Sequence, residues 1–213
     1  MIKDALLLYR DRYDFFIKLT LQHLQISGTA ILIAATLGLT LGILISENKK
    51  LSPLVLGTTN IIYTIPSISL LGFLIPLSGV GNLTAIIALT VYGLLPMVRS
   101  AYTGITTIDP AIIEAARGMG STRMQMLRKI KIPLALPVII GGIRTMVLMT
   151  IALTGIASFI GAGGLGVAIY RGITTNNPAM TVAGSFLIAC LALLLDALLS
   201  GLERHIRKKR KLA

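Results

Sequence analysis

The stretch from Asp109 to Pro133, DPAIIEAARGMGSTRMQMLRKIKIP, concentrates charge between long apolar runs. Its residue types suit gripping a partner rather than making or breaking bonds. Glu114 offers a carboxylate, Ala115 and Ala116 a surface without bulk, and Gly120 a backbone that can turn. Asp109 can cap a helix, and Pro110 fits the first helical position, where its missing N–H costs nothing. The pattern predicts a helix over Ala111–Met119, a turn at Gly120, and a second helix capped by Ser121 that stops before Pro133. Ile130, Ile132 and Pro133 join this hairpin to the next apolar run. Other reactive residue types stand alone. Cys190 lies in an apolar run with no metal partner or group to lower its pKa. His23 and His205 are far apart in sequence. No GxxxxGK[ST], HExxH or GxSxG occurs, so neither a P-loop for ATP nor a common hydrolase signature is present. The chain reads as a non-enzyme with no metal or cofactor site of its own.

The elements that hold the hairpin are read from composition. The 213 residues are 54% hydrophobic and 13% charged, with mean hydropathy +0.85. A soluble domain would carry about a quarter charged residues, so this is an all-α polytopic membrane protein of one-domain size. The net charge of +12 would suggest nucleic acid in a soluble protein. Here the charges flank apolar runs, which is a topology signal, and anionic lipid rather than nucleic acid is the expected partner. Three aspartates in Met1–Lys18 and no small-residue cleavage pattern argue against a cleaved signal peptide.

Five spans are expected. Residues 1–18 form an extracytoplasmic or interfacial segment, in which Leu6, Leu7, Tyr13, Phe16 and Ile17 can make an amphipathic helix. Leu19–Ser46 carries no charge and exceeds the roughly 20 residues that cross a bilayer. Within it Gly38 and Gly42 form a GxxxG pair, a weak signal for close helix approach. Leu54 to about Pro76 is the second span, kinked or broken at Pro66; a packing kink and a bent, pathway-lining segment are both open. Leu83 to about Met97 is the third, with Arg99 at the interface. The hairpin 109–133 follows, then a fourth span from Pro137 to about Ile160. Arg144 lies early in it, near the cytoplasmic face or pointed into the protein. The glycine cluster IGAGGLG, Ile160–Gly166, ends that helix and lacks the context of a phosphate cradle. Tyr170–Pro178 reads as a polar loop and Ala179–Gly201 as the fifth span, where Asp196 either pairs with a base or reaches the interface. A basic tail, residues 204–213, ends the chain.

Lys and Arg alternate by loop. Lys49 and Lys50 occupy the first loop and none the second. Arg99, Arg117, Arg123, Arg128, Lys129 and Lys131 occupy the third, Arg171 alone the fourth, and Arg204 with Arg207–Lys211 the tail. Basic loops remain in the cytoplasm, which puts the N-terminus outside and the hairpin and tail inside. The N-terminal segment, with four basic residues, is the misfit.

Glu114-Ala115-Ala116, three residues, Gly120, nine residues, Ile130-Lys131-Ile132-Pro133 resembles the EAA loop of ABC-importer permeases, with Ile132 in place of the usual Leu. The segments IIYTIPSISLLGFLIP, LTVYGLLPMVRSAYTGI and IGAGGLG look like permease subunits for glycine betaine, carnitine and choline, over roughly Leu19 to Arg207. The resemblance implies a type I importer permease domain over 19–203. In it Glu114, Ala115, Ala116, Gly120, Ile130, Ile132 and Pro133 form a cytoplasmic coupling hairpin docked on the ATPase. It also implies a bacterial inner membrane, a dimer of ATP-binding subunits holding ATP and Mg, a second permease copy or paralogue about a two-fold axis, and an extracytoplasmic substrate-binding protein. The function implied is translocation of quaternary-amine osmoprotectants; the alternatives are another small solute such as methionine or, against the near absence of acids in spans, an ion-driven carrier. Tyr63, Phe73, Tyr92, Phe159 and Tyr170 are expected to pack or to anchor at interfaces, since the high-affinity aromatic cage belongs in this family to the binding protein.

Overall fold

The computed structural model describes residues 2–48 and 50–209. Lys49, and Arg210 and Lys211 of the basic tail, lie outside the described residues. The described chain is helical, without strands. Helix α1 (Ile2–Asp11) is followed by α2 (Tyr13–Ser46), α3 (Ser52–Thr64), α4 (Ser67–Ser78) and α5 (Asn82–Thr106). The hairpin helices are α6 (Pro110–Gly118) and α7 (Arg123–Met126). Then come α8 (Ile132–Ile156), α9 (Gly166–Thr174) and α10 (Pro178–Lys209).

Among the described residues four continuous helical stretches are long and apolar enough to cross a membrane: Tyr13–Ser46, Asn82–Thr106, Arg123–Ile160 and Pro178–Arg204. The pair α3 and α4, bent by 100°, makes a fifth if counted as one span. Its ends support that count. Ser52 follows the loop from α2, beside the hairpin end of the bundle. Ser78 lies at the other end, where its hydroxyl meets Thr84 and Gly81 N–H donates to Ile160 O at 2.9 Å. The bend falls where Pro66 ends the helical pattern: Ile65 and Pro66 are extended (ψ 127° and 137°). The freed Ile65 carbonyl is taken by the Tyr92 hydroxyl.

Small residues set the bundle's centre. A Cβ on Gly93 would lie 2.8 Å from the Ala34 Cβ, one on Gly38 2.7 Å from the Met97 Cβ, and one on Gly42 2.5 Å from the Ala101 Cβ. Positions 34, 38 and 42 therefore face 93, 97 and 101, and α2 and α5 run parallel in one register over two turns. The GxxxG pair thus packs one span on another within the chain. Helix α8 runs antiparallel to α5, with Gly104 against Ala135 and Gly142 against Ser100. The resulting core holds Ala34, Met97, Ala101, Ile139, Met146 and Ile151.

Several boundaries differ from the sequence reading. The first span begins at Tyr13, not Leu19, because Asp14 and Lys18 fit on the exposed side of a continuous helix. Of the amphipathic set, Phe16 is buried while Leu6, Leu7, Tyr13 and Ile17 are exposed; Tyr9 Oη donates to Ala183 O at 2.7 Å and ties α1 to α10. The third span continues past Pro96 to Thr106, so Arg99 stands inside it rather than at its end. Most of Tyr170–Pro178 is helix, not loop: α9 runs to Thr174 and packs on α10, with Gly172 against Thr181. The fifth span continues as helix to Lys209.

The glycine cluster is a packing joint. Its N–H groups are engaged by the protein's own side chains: Gly163 by Asn82 Oδ1 at 2.8 Å, Gly164 by Gln22 Oε1 at 3.4 Å, and Leu165 by His23 Nδ1 at 3.3 Å. His23, fully buried, meets Ile151 O through Nε2 at 3.1 Å. An N–H can only donate and a carbonyl can only accept, so the ring is the neutral Nε2–H tautomer.

Candidate functional site

The hairpin is built as a rigid piece. Asp109 accepts the Ala111 N–H at 2.8 Å, with Pro110 opening α6 as expected. At the other end Gly120 has φ +77°. Gly120 N–H donates to Arg117 O at 2.9 Å and Ser121 N–H to Ala116 O at 3.1 Å, the paired bonds of a Schellman turn. The next cap is Thr122, not Ser121. Its hydroxyl accepts the Gln125 N–H at 3.3 Å while Gln125 Oε1 accepts the Thr122 N–H at 2.9 Å. This reciprocal capping box was legible as Thr-x-x-Gln.

The second helix does not stop before Pro133. Pro133 lacks an N–H, and its ring would press on the carbonyl four residues back, at Lys129. The chain relieves this by widening one turn. Leu127–Lys131 is a π-helix, and the Ile132 N–H donates to Leu127 O. The helix therefore passes through Pro133 into α8, and Pro137 lies inside it rather than at its start. Arg123 to Ile160 is one continuous stretch from the hairpin to the opposite end. The joint is fastened sideways by Lys131, whose ammonium pairs with the Glu47 carboxylate at the end of α2.

The predicted residues divide by exposure. Glu114, Ala115 and Gly120 are exposed, whereas Ala116 is 1% exposed and closed off by the chain itself. Ile130, Ile132 and Pro133 are half-buried along the joint. Two adjoining hollows, which share Ser46, Arg117 and Lys131, lie between the hairpin and the end of α2. One of about 570 Å³ is lined by Glu47, Arg117, Ser121, Arg123, Met126 and Lys131. The other, of about 340 Å³, includes Ile108, Pro110, Ile113 and Glu114. The lining cations Arg117, Arg123 and Lys131 entered the sequence reading only as topology markers. Among the described residues no group of three or more His, Cys, Asp or Glu could hold a metal. The arrangement offers an exposed, knuckle-shaped surface that continues into a membrane helix.

In the spans, Arg144 Nε and Nη2 donate to the two Asp196 carboxylate oxygens at 2.6 and 2.8 Å. This decides for pairing at Asp196 and turns Arg144 toward α10, with both side chains about one-third exposed.

Known proteins resemble the chain over nearly its whole length. The osmoprotectant import permease protein OsmW of Salmonella typhimurium is 44% identical across 91% of this chain and 92% of that protein. The glycine betaine/carnitine/choline transport system permease protein OpuCD of Bacillus subtilis is 42% identical across 89% of this chain and 84% of that protein. Among solved structures, the MetNI methionine ABC transporter in an inward-facing conformation matches with TM-score 0.83 and 26% identity, over 90% of this chain and 95% of that one. Residues 34–211 match the model of the binding-protein-dependent transport system inner membrane component family. The chain belongs to that family, as a membrane permease subunit of an ABC importer whose ATP is hydrolysed by a separate subunit.

Proposed function

We propose that this permease carries quaternary-amine osmoprotectants (glycine betaine, carnitine and choline) handed to it by an extracytoplasmic binding protein. The hairpin Asp109–Pro133 lies on the cytoplasmic side and docks on a dimer of ATP-binding subunits, which hold ATP and Mg. The N-terminus is outside and the tail inside. Two permeases, copies of this chain or this chain with a paralogue, pair about a two-fold axis to enclose the path.

The observation that carries the coupling role is the unbroken run from the Thr122 cap through the wide turn into α8. Exposed Glu114 and Ala115 stand on α6, which joins that run through the hydrogen-bonded turn at Gly120. Identity above 40% to permeases named for osmoprotectants supports the solute class over methionine, for which the likeness is 26%.

Uptake of the three amines by cells holding the complete transporter tests the solute class; no uptake of any would overturn it. For the hairpin, Glu114→Arg and Gly120→Trp should abolish uptake while the chain remains at normal level in the membrane. Normal transport in either variant would remove the coupling role.

A further inference from the structure

Two arginines lie inside spans at one level of the bundle. Gly142 of α8 packs against Pro96 and Ser100 of α5, which sets Arg144 near the height of Arg99. Arg144 turns toward α10, where Asp196 neutralises it and Glu203 stands 3.7 Å away. Arg99 turns the other way, toward α3. Its Nη2 donates to Asn60 Oδ1 at 2.6 Å, and no carboxylate pairs with it among the described residues. It is exposed on the bundle surface, seven residues before the end of α5, about 10 Å inside by helical rise. Gly42, which packs on Val98 and Ala101 at the same level, is itself a turn inside the end of α2.

An exposed guanidinium without a carboxylate partner, set within a span, is costly against lipid. It must face water or an anionic group. The surface around it agrees. One turn beyond Asn60 on α3, the half-exposed Tyr63 lies edge-on to Tyr92 with ring centroids 5.9 Å apart. Tyr63 directs its hydroxyl to Met149 Sδ at 3.5 Å. This polar and aromatic seam runs beside the bend at Pro66, where an unwound backbone is tolerated only when protein or a watered cavity covers it.

We infer that Arg99, held by Asn60, lines the solute path and binds the carboxylate of a zwitterionic solute as it passes. The assignment rests on the solute class proposed above. Glycine betaine and carnitine carry a carboxylate beside the quaternary ammonium, and choline carries a hydroxyl instead. Guanidinium–carboxylate bonds are charge-assisted and can be two-pronged, so removing Arg99 penalises the first two and spares the third. The binding protein is unaltered in such a variant, and a change in the ratio of solutes belongs to the permease.

The experiment is uptake of radiolabelled glycine betaine, carnitine and choline by the complete transporter in proteoliposomes. Wild type is compared with Arg99→Gln and Arg99→Lys at equal permease content. Arg99→Gln should lower glycine betaine and carnitine uptake about tenfold relative to choline, a change in barrier of about 1.4 kcal/mol. Arg99→Lys should recover part of it. A parallel fall for all three solutes, or no fall, would overturn the assignment. Wild-type transport of none of the three would overturn the solute class, and the assignment with it.

Discussion

Lys131, the last residue of the widened turn, forms an ion pair with Glu47, the cap residue that follows α2. The two are 84 residues apart in sequence, and the pair fixes the exit of the hairpin to the neighbouring span. Partly exposed pairs add little to stability, roughly 1 kcal/mol or less, so the consequence is positional. Lys131→Glu places like charges together and should lose most uptake with little change in chain level. The exchange Glu47→Lys with Lys131→Glu should restore at least half. Full transport by Lys131→Glu alone would show that the hairpin needs no lateral clamp.

Gly120 and Gly118 make a matched pair. A Cβ at either meets nothing within 4 Å, but only Gly120 has positive φ. The left-handed region costs an ordinary residue about 1–2 kcal/mol. Gly120→Val should therefore weaken co-purification of the ATP-binding subunit, and Gly120→Asn, which tolerates that region, should weaken it less. Gly118→Ala, at the last position of α6 with helical backbone and open space, should leave it intact or strengthen it, since alanine favours a helical position by at most about 0.5–1 kcal/mol. Equal behaviour of the Val and Asn variants would show that the turn geometry is not what the partner reads.

The α2–α5 contact predicts a sharper contrast. Gly42→Val would drive a side chain into the Ala101 Cβ and the Val98 carbonyl, 2.5 and 2.8 Å from the first added carbon. Overpacking of this kind costs about 1–3 kcal/mol or more, with backbone as the obstacle. Lower thermal stability in detergent and less inserted protein should result. Gly141→Ala, with open space at its Cβ, should match wild type in both. Indifference to Gly42→Val would mean that the parallel register of α2 and α5 is not what holds the core.

How much the sequence disclosed depends on how local each signal is. The hairpin's start and turn were readable because Asp109, Pro110 and Gly120 act on backbone within a few residues. The five-span count was readable because hydropathy integrates over a whole helix. The continuation through Pro133 was not, because proline marks a fault in the α-helical ladder without saying whether the chain stops or widens a turn. The length of α5 beyond Pro96 and the burial of Ala116 were misjudged for a related reason: surrounding helices decide both. Lys131–Glu47, Arg99–Asn60 and His23 between Ile151 and Leu165 are long-range contacts. A single sequence holds their members without pairing them.

Asp196 and Arg144 supply the last prediction. Arg144 donates two bonds to Asp196 and has Glu203 within 3.7 Å, so one guanidinium holds α8 to two points of α10. Both partners are about one-third exposed at positions set within apolar helices, where a charge left alone is disfavoured. Removing one member strands the other, whereas removing both does not. Asp196→Leu and Arg144→Leu should each reduce inserted, detergent-stable protein, and the double variant should recover above either single. Asp196→Glu should fall between, because the longer arm alters the two-pronged geometry while keeping the charge. A double variant worse than both singles would show that the pair stabilises the α8–α10 packing outright, beyond mutual neutralisation.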